Sequence, residues 1–368
     1  MNLKTAIAAA VTLVIGLVIG LLVGGQGGGG GGESARVSGG GAAERVTLKM
    51  ASAFPATLPV VGEGGVYVSD LMNELSGGSL NVKFYEANKL VPPLEIFDAV
   101  SKGAVDMGYA AAGFWLGKLP AASIFSSVPY GPDSAEYLAW MFSGGGLELY
   151  QELYGRHNMW VSPCGIIAPE ASGWFREEIT SIDQFEGMKI RFYGIGGKVM
   201  QKLGASVQLF APGDIYPALE RGVIDATELS FPSIDERLGF WKIAKHYYFP
   251  GWHQQATFAE LMVNMDLWKG LSPIHQLVIA TACRDLTLRS LTLSEATQGE
   301  ALDKMKSNGV HIHYWSDEIL QKFRETSIAV LAEESAKNPD FAKIYNSLQD
   351  FRGRYREWAR LSRLPADL

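Results

Sequence analysis

Cysteine is scarce in this chain of 368 residues, which contains only Cys164 and Cys283. Two cysteines exclude a disulfide scaffold and a cysteine-rich metal site. They could pair if the fold brought them together, but we interpret both as small buried hydrophobic residues.

Clusters of basic residues are also missing. The chain has 32 Lys and Arg against 39 Asp and Glu, which gives a formal net charge of −7. Nucleic acids are held by clustered Lys and Arg, so we expect no nucleic-acid partner. With 47% apolar and 19% charged residues, the composition is that of a globular protein, and the length fits two domains or lobes.

Common enzyme motifs are absent from the sequence, which has no G-x-S-x-G, H-E-x-x-H or P-loop pattern. A glycine-rich turn at Gly194 follows a predicted strand, but Val199 stands at the third glycine position of a dinucleotide-binding motif. His311 and His313 could bind a metal ion, but such a pair without a nearby carboxylate or cysteine is more often solvated. We therefore predict a protein without catalytic activity.

The N-terminal region contains an apolar run, residues 5–23, without a single charge. Nineteen helical residues span about 28 Å, close to the thickness of the bilayer hydrocarbon. The run is longer than the apolar part of a secretory signal, and no clear cleavage site follows it. We predict that residues 1–23 anchor the chain in the inner membrane, with a cleaved signal as the alternative, and that a glycine-rich linker follows at 24–43. The folded body is then periplasmic and tethered.

Strands alternate with helices in the body of the chain, which indicates an α/β fold with covered sheets. Apolar periodicity predicts strands at 46–51, 80–85 and 104–109, and helices at 61–75 and 94–101.

One segment occurs twice. Residues 99–106 (AVSKGAVD) are repeated, with conservative changes, at 218–225 (ALERGVID). Each copy predicts a helix end, a glycine C-cap and a strand closed by an aspartate. Although this pattern is common in α/β proteins, the repeat also fits two similar lobes that face each other across a ligand cleft. We predict lobe 1 at 44–165, with 255–310 returning to it, and lobe 2 at 166–254.

The C-terminal region is predicted to be helical. Ser272 and Pro273 are an N-cap and a first helical residue, and the helix that they begin extends to about residue 308, long enough to bridge both lobes. C-terminal helices are expected over 311–368, and the last one carries an apolar stripe from Phe341 to Trp358. That stripe must pack on its own chain or on another.

An anion site is predicted at the Gly194 turn. Arg191 ends the preceding strand, and the following helix directs unpaired N–H groups to the same point. A guanidinium and a helix N-terminus together favour a carboxylate. The alternative is that Arg191 forms a structural ion pair.

Several stretches of the sequence resemble the solute-binding proteins of TRAP transporters, the DctP-type family. The resemblance extends from about residue 46 to 350, and it depends on motifs at 90–100, 173–175, 188–205, 239–248 and 250–253. It is strongest to the branch that binds 2-oxo and 2-hydroxy monocarboxylates, often through a bound cation. The resemblance implies a two-lobed periplasmic-binding-protein fold with a long bridging helix and a C-terminal helical extension. It also implies a receptor that closes on a small carboxylate and delivers it to TRAP membrane subunits, and a homodimer formed through the C-terminal helix.

The resemblance also implies site residues. Arg191 would form a salt bridge with the substrate carboxylate, while Glu228, the Leu229 carbonyl and Gln254 would ligate the cation. At the position of Glu170, members of the family usually have a glutamine-type residue. Two acidic side chains favour Ca²⁺ slightly over Na⁺. We predict that the cleft is lined by the aromatic residues Phe54, Tyr109, Phe114, Trp115 and Trp174.

The sequence departs from the branch at two positions. Leu229 replaces a tryptophan, and Gly113 replaces a tyrosine. These changes predict a wider cleft and a ligand bulkier than pyruvate. Two other functions remain open at this point: a membrane-tethered ligand sensor, and a periplasmic enzyme that uses Glu170 and Glu228 as an acid/base pair.

Overall fold

The structure, a computed structural model, describes residues 45–364. The predicted anchor and the whole of the predicted linker therefore lie outside the described residues. Within 45–364, no helix is long and apolar enough to cross a membrane.

The described residues form an α/β fold of eleven strands and twelve α-helices. The strands are β1 (Val46–Ser52), β2 (Leu80–Tyr85), β3 (Met107–Ala110), β4 (Met159–Ile167), β5 (Gly173–Phe175), β6 (Lys189–Arg191), β7 (Ser206–Gln208), β8 (Ala226–Thr227), β9 (His246–Phe249), β10 (Thr257–Asn264) and β11 (His311–Tyr314). The helices are α1 (Val61–Leu75), α2 (Ile96–Ser101), α3 (Ser134–Ser143), α4 (Gly146–Gly155), α5 (Gly194–Lys202), α6 (Pro212–Glu220), α7 (Pro232–Leu238), α8 (Met265–Gly270), α9 (Pro273–Ala296), α10 (Gln298–Ser307), α11 (Asp317–Lys337) and α12 (Pro339–Ser362). The predicted α/β class is confirmed.

The strands are divided between two sheets. The first sheet has the order β2-β1-β3-β10-β4, in which β1 is parallel to β2 and β3 while β10 is antiparallel to β3 and β4. The second has the order β11-β9-β5-β8-β6-β7 and is also mixed. Strands β5 to β9 all belong to the second sheet, but β10, the next strand along the chain, pairs within the first sheet. Residues 311–314, which we placed in a C-terminal helical region, form the edge strand β11 instead. The lobe boundaries themselves stay a prediction.

The repeated segment forms equivalent corners in the two sheets. Gly103 and Gly222 have φ values of 71° and 70°, as a glycine C-cap requires. The aspartates precede strands β3 and β8, so the expectation that they close the strands, and that β3 begins at 104, is wrong. The carboxylate of Asp106 accepts the N–H of Lys49 at 2.8 Å, and that of Asp225 accepts the N–H of Lys189 at 3.0 Å. Each aspartate therefore joins the turn to the neighbouring strand.

The bridging helix is bent. Ser272 caps α9 by accepting the N–H of His275 at 3.2 Å, as predicted, but the helix ends at Ala296, and α10 continues after Thr297. The Thr297 hydroxyl donates to the carbonyl of Leu293, four residues back, and such back-bonding bends helices. Helix α9 packs on β4 of the first sheet and on α1, and α10 packs on α7, the helix that follows β8 of the second sheet.

The two cysteines are paired. Cys164 on β4 forms a disulfide with Cys283 on α9, which corrects their interpretation as separate small hydrophobic residues. The pairing depends on the packing of α9 against β4, which no local sequence signal reveals. Disulfides persist in oxidising compartments such as the bacterial periplasm.

The last helix, α12, packs on its own chain over its first half. Phe341, Ile344 and Leu348 are buried, whereas the side chains of Trp358 and Leu361 are 64% and 72% exposed. The competing interpretation of the apolar stripe, packing within the chain, therefore holds for its N-terminal half.

Candidate functional site

Arg191 and Glu228 form a buried ion pair between neighbouring strands of the second sheet. Arg191 is the last residue of β6 and lies opposite Thr227 on the parallel strand β8, so Glu228 follows directly beside it. The Arg191 Nη1 lies 2.9 Å from Oε2 of Glu228 and also donates to the main-chain carbonyl of Glu228. Both side chains are almost fully buried.

The predicted anion position at the Gly194 turn is occupied by the same carboxylate. The N–H of Tyr193, which precedes α5, donates to Oε2 of Glu228 at 3.0 Å. The guanidinium and the helix N-terminus thus converge on one anion, as the sequence predicted, but in this structure the anion belongs to the chain. Whether Arg191 also binds a ligand stays a prediction.

Three more polar side chains lie buried beside this pair: Glu170, His253 and Gln254. The His253 Nε2 is 3.3 Å from Oε1 of Glu228 and 4.0 Å from Oε2 of Glu170. The segment after β9 brings them together, because the N–H of Gly251 donates to the Glu170 carbonyl at 2.9 Å. A Cβ at position 251 would lie 2.3 Å from that carbonyl oxygen, so only glycine permits the approach.

Several acceptors of this cluster have no hydrogen-bond partner among residues 45–364. They are Oε2 of Glu170, Oε1 of Glu228 and Oε1 of Gln254, and neither ring nitrogen of His253 has a partner. A buried polar atom without a partner costs about 1–3 kcal/mol, so this concentration indicates a missing ligand.

The two carboxyl groups differ in their acidity. Burial, with the charge of Glu228 nearby, raises the pKa of Glu170 well above its usual range. Burial also opposes ionisation of Glu228, but Arg191, His253 and the N–H of Tyr193 together hold the pKa of Glu228 below its usual value. Glu228 is therefore the ionised member of the pair at neutral pH.

The cluster has the donor chemistry of a cation site. One donor atom each from Glu170, Glu228 and His253 lie within 4.8 Å of one another. Gln254 follows His253 in the chain, and its buried amide oxygen has no partner among residues 45–364. Carboxylate and amide oxygens are the ligands that Ca²⁺ accepts. The cluster thus contains two of the side chains predicted for the site, Glu170 and Glu228, whereas a role of Gln254 as a ligand stays a prediction. Sequence reasoning missed His253, although its position directly before Gln254 could have drawn attention to it.

The predicted aromatic residues fall into two groups. Phe54, Tyr109 and Phe114 form a cluster, with the ring of Phe54 5.8 Å from that of Tyr109 and 6.1 Å from that of Phe114. Phe114 also meets Tyr193, with 5.1 Å between ring centroids, so this group reaches the second sheet's side of the molecule.

The two tryptophans are held within the cores. The Trp115 indole donates to Glu260 on β10 at 2.6 Å. The Trp174 indole donates to Asp235 at 2.9 Å and stacks on Tyr247, with 3.9 Å between ring centroids. These contacts account for their burial, and a role of either residue in ligand binding stays a prediction.

The space directly beside Gly113 is filled by the chain itself. The Tyr193 hydroxyl accepts the N–H of Gly113 at 2.7 Å and shares a 2.7 Å hydrogen bond with Ser126. A Cβ at position 113 would lie 2.3 Å from the Tyr193 ring. Tyr193 thus occupies the space directly beside Gly113, but Gly113 also lines a pocket of about 380 Å³ with Phe192, Gly194 and Lys198. The wider cleft stays a prediction.

A small cavity of about 40 Å³ lies between elements of the two sheets. Its walls are Phe54, Leu58, Val61, Ile167, Pro212, Leu229, Ser230 and Ile234. Ser230 connects the cavity to the polar cluster, since its hydroxyl donates to Oε1 of Glu170 at 3.2 Å. One water occupies roughly 10–15 Å³ on such a measure, so the cavity has room for a few small groups.

The two sheets and the buried polar cluster beside a small cavity define a two-lobed solute-binding protein. The chain belongs to the bacterial extracellular solute-binding proteins of family 7, the DctP family, whose model matches residues 51–338. The resemblance seen in the sequence is confirmed. This is a family of binding proteins, so the prediction that the chain is not an enzyme is also confirmed.

Individual relatives share most of the chain. A monocarboxylate 2-oxoacid-binding periplasmic protein of Nostoc sp. is 34% identical over 319 residues, which are 87% of each chain. A TRAP transporter solute-binding protein of Bordetella bronchiseptica has a TM-score of 0.85 at 33% identity, covering 87% of this chain and 95% of that one. That structure is a mixed-occupancy dimer with copurified calcium and picolinate.

A third relative was solved with a different cation. The TRAP periplasmic solute-binding protein of Pseudoalteromonas atlantica contains sodium and pyruvate. Its TM-score is 0.82 at 32% identity, covering 87% of this chain and 97% of that one.

Proposed function

We propose that this protein captures a small 2-oxo or 2-hydroxy monocarboxylate between its lobes and delivers it to the membrane subunits of a TRAP transporter. The observation that carries the proposal is the buried polar cluster with unpartnered acceptors, next to a cavity bounded by both sheets. Burying several polar atoms without hydrogen-bond partners costs free energy unless a bound ligand supplies those partners. The relatives from Nostoc and Pseudoalteromonas support the ligand class, because their descriptions are of 2-oxoacid and pyruvate binding.

Arg191 holds the ligand carboxylate in this proposal. Its bonds to Glu228 use Nη1, and Nε lies 3.4 Å from the main-chain carbonyl of Phe210. The planar guanidinium fork has a further nitrogen, Nη2, and we assign that group to the ligand.

A cation completes the site. Glu228, Gln254 and Glu170 supply side-chain oxygens, and the Leu229 carbonyl supplies a fourth. Calcium or sodium in relatives supports this assignment. The cation would neutralise the acidic side chains and provide a positive surface for the ligand's oxygens. Elemental analysis of the purified protein tests it directly, and a stoichiometric cation absent from Glu228→Gln is expected.

The size of the cavity favours a ligand as small as pyruvate. The space directly beside Gly113 is taken by Tyr193, and the cavity beside Leu229 is only about 40 Å³. Picolinate in the Bordetella relative marks a larger acid to be tested beside pyruvate.

Mass spectrometry of small molecules released from the purified protein identifies the ligand. We expect a monocarboxylate with an oxygen on the neighbouring carbon. Calorimetric titration with that acid then tests Arg191→Lys, which presents one point charge in place of a planar fork. Loss of a charged hydrogen bond is worth about 1.5–3 kcal/mol, or roughly a 10- to 150-fold weaker affinity.

The control for Arg191→Lys is Arg156→Lys. Arg156 forms an ion pair with Asp340 on the surface, 2.9 Å between nitrogen and oxygen, with its side chain half exposed. Its replacement should leave the affinity unchanged. Unchanged affinity in Arg191→Lys would contradict the central assumption.

We also propose that residues 1–23 tether the protein to the inner membrane. The uncharged run 5–23 and the glycine-rich linker support this. After cell fractionation and a high-salt wash, the full chain should remain in the inner membrane. A variant in which a cleavable signal replaces residues 1–43 should instead be found in the periplasm. Release of the full chain by the wash would exclude the anchor.

A homodimer is the proposed assembly. The exposed side chains of Trp358 and Leu361 at the end of α12 support it, as does the dimer of the Bordetella relative. Light scattering at micromolar concentration should give twice the chain mass. A monomer mass for residues 45–368 would contradict the dimer.

A further inference from the structure

A cluster of three histidines lies at the edge of the second sheet. His246 begins β9, and His311 and His313 are on β11. The strands are parallel with His311 opposite His246, and His313 is opposite Tyr248. Since side chains two residues apart share a face, all three imidazoles project to the same side of the sheet.

The other face of these strands belongs to the protein core. Tyr247 on β9 and Ile312 on β11 pack into the second hydrophobic cluster. The histidines share the opposite face with Tyr248, which is buried in the main hydrophobic cluster, but His311 is exposed and the other two histidines are half-buried. A metal ion would reach them from solvent.

Two ring nitrogens already face each other across a hydrogen bond, close to the separation that a shared ion requires. The Nδ1 of His246 lies 2.9 Å from Nε2 of His313. Nitrogen–metal bonds of about 2.0–2.1 Å require two ligand nitrogens a few tenths of an ångström farther apart than this. A small movement of either ring would admit an ion between them.

The third imidazole is close enough to join. The ring of His311 lies 5.3 Å from that of His246 and 6.4 Å from that of His313, centroid to centroid. Because His311 is exposed, its side chain is free to rotate toward the other two.

His313 has the supporting contacts expected of a metal ligand. Its ring stacks on Tyr248, with 4.6 Å between centroids and 13° between planes. Its other nitrogen, Nδ1, lies 3.8 Å from a carboxylate oxygen of Glu178. This distance is too long for a hydrogen bond, but it places an acidic group on the side of the ring away from Nε2, where outer contacts commonly orient ligating histidines.

We propose that His246, His311 and His313 bind a transition-metal ion of the kind that prefers imidazole, with Zn²⁺ as the probe. Three imidazoles with an open fourth position form a recognised zinc coordination set. The site is distinct from the cleft, where the donors are mainly oxygens. Bound metal would join the edge strand β11 to β9 and so stabilise the connection between α10 and α11.

The test is a Zn²⁺ titration of the chain, prepared without a histidine tag and stripped with chelator. Excess Ca²⁺ and pyruvate keep the cleft filled. We expect about one equivalent of Zn²⁺ and a rise in melting temperature. His311→Ala and His313→Ala should each weaken Zn²⁺ binding at least about tenfold. His311 is exposed, so its variant should fold even if His313→Ala does not.

The matched control is His157→Ala, a partly exposed histidine at the end of α4 whose ring packs on Phe97. It should bind Zn²⁺ as the unmodified chain does. Cobalt(II) offers a second readout, since coordination by the cluster should give a visible absorption band that is lost in His311→Ala. Zn²⁺ binding that is absent, or equally tight in both β11 variants, would overturn the proposal.

Discussion

Replacing Gly113 by alanine should open the cleft. The added Cβ would lie 2.3 Å from Cζ and 2.5 Å from the hydroxyl oxygen of Tyr193. Gly113 follows β3 of the first sheet and Tyr193 follows β6 of the second, so we expect this contact only when the lobes are closed. Overpacking costs about 1–3 kcal/mol. Because the cost falls on the closed state alone, ligand affinity should drop about 5- to 150-fold.

Calorimetric titration with pyruvate in the presence of Ca²⁺ measures this loss, and small-angle X-ray scattering should show a larger radius of gyration. Gly117→Ala is the matched control, since a Cβ there would meet nothing within 4 Å. In a Tyr193→Ala background, Gly113→Ala should cost little, because the clashing ring is gone. Wild-type affinity in Gly113→Ala, or the same loss with and without Tyr193, would refute the reasoning.

Two further predictions concern stability. Removing the disulfide in Cys164→Ala/Cys283→Ala releases a loop closed over a separation of 119 residues. Chain entropy assigns this about 5 kcal/mol, to be measured by urea unfolding, and an unchanged free energy of unfolding would contradict it. Burial raises the pKa of Glu260 to about 7. The folded state therefore retains a proton that the unfolded state releases between about pH 4.5 and 7, and the free energy of unfolding falls over that window. The free energy of unfolding of Glu260→Gln, measured relative to that of wild type, should rise by up to about 3 kcal/mol between pH 4.5 and 7. If this difference in unfolding free energy does not change with pH, burial does not raise the pKa of Glu260.

Local signals predicted many elements of the fold well. The helix predicted at 61–75 and the strand at 80–85 have the observed bounds, because a Ser-Gly-Gly turn separates two clear periodicities. Asn338 caps α12, with its side chain accepting the N–H groups of Asp340 and Phe341, as expected of an asparagine before a proline that begins a helix. Strand β3 was misplaced because the glycine turn uses residues that are as apolar as the strand itself.

Contacts between distant segments could not be predicted from the sequence. The disulfide joins residues 119 apart, and Tyr193 meets Gly113 across 80 residues. Nothing in the local sequence marks these residues as partners. The cysteines are small buried residues within a strand and a helix, and Tyr193 is simply the residue before a helix. The family resemblance predicted Glu228 because it carries information about such contacts, but it did not identify His253 as a member of the cluster.

We predict that Glu228 makes ligand binding in the cleft dependent on a cation. Its carboxylate accepts hydrogen bonds from Nη1 of Arg191 and from the N–H of Tyr193. These are the guanidinium and the helix N-terminus that we predicted would bind a ligand carboxylate. An entering carboxylate therefore meets an arginine that is already neutralised, beside an ionised Glu228. Two like charges about 4 Å apart repel by about 4 kcal/mol at an effective dielectric constant of 20, which weakens binding roughly a thousandfold. After exhaustive chelation in sodium-free buffer, the affinity for pyruvate should fall by about this factor and return on addition of Ca²⁺ or Na⁺. Full affinity without either ion would contradict this prediction, because Arg191 alone would then balance both Glu228 and the ligand carboxylate.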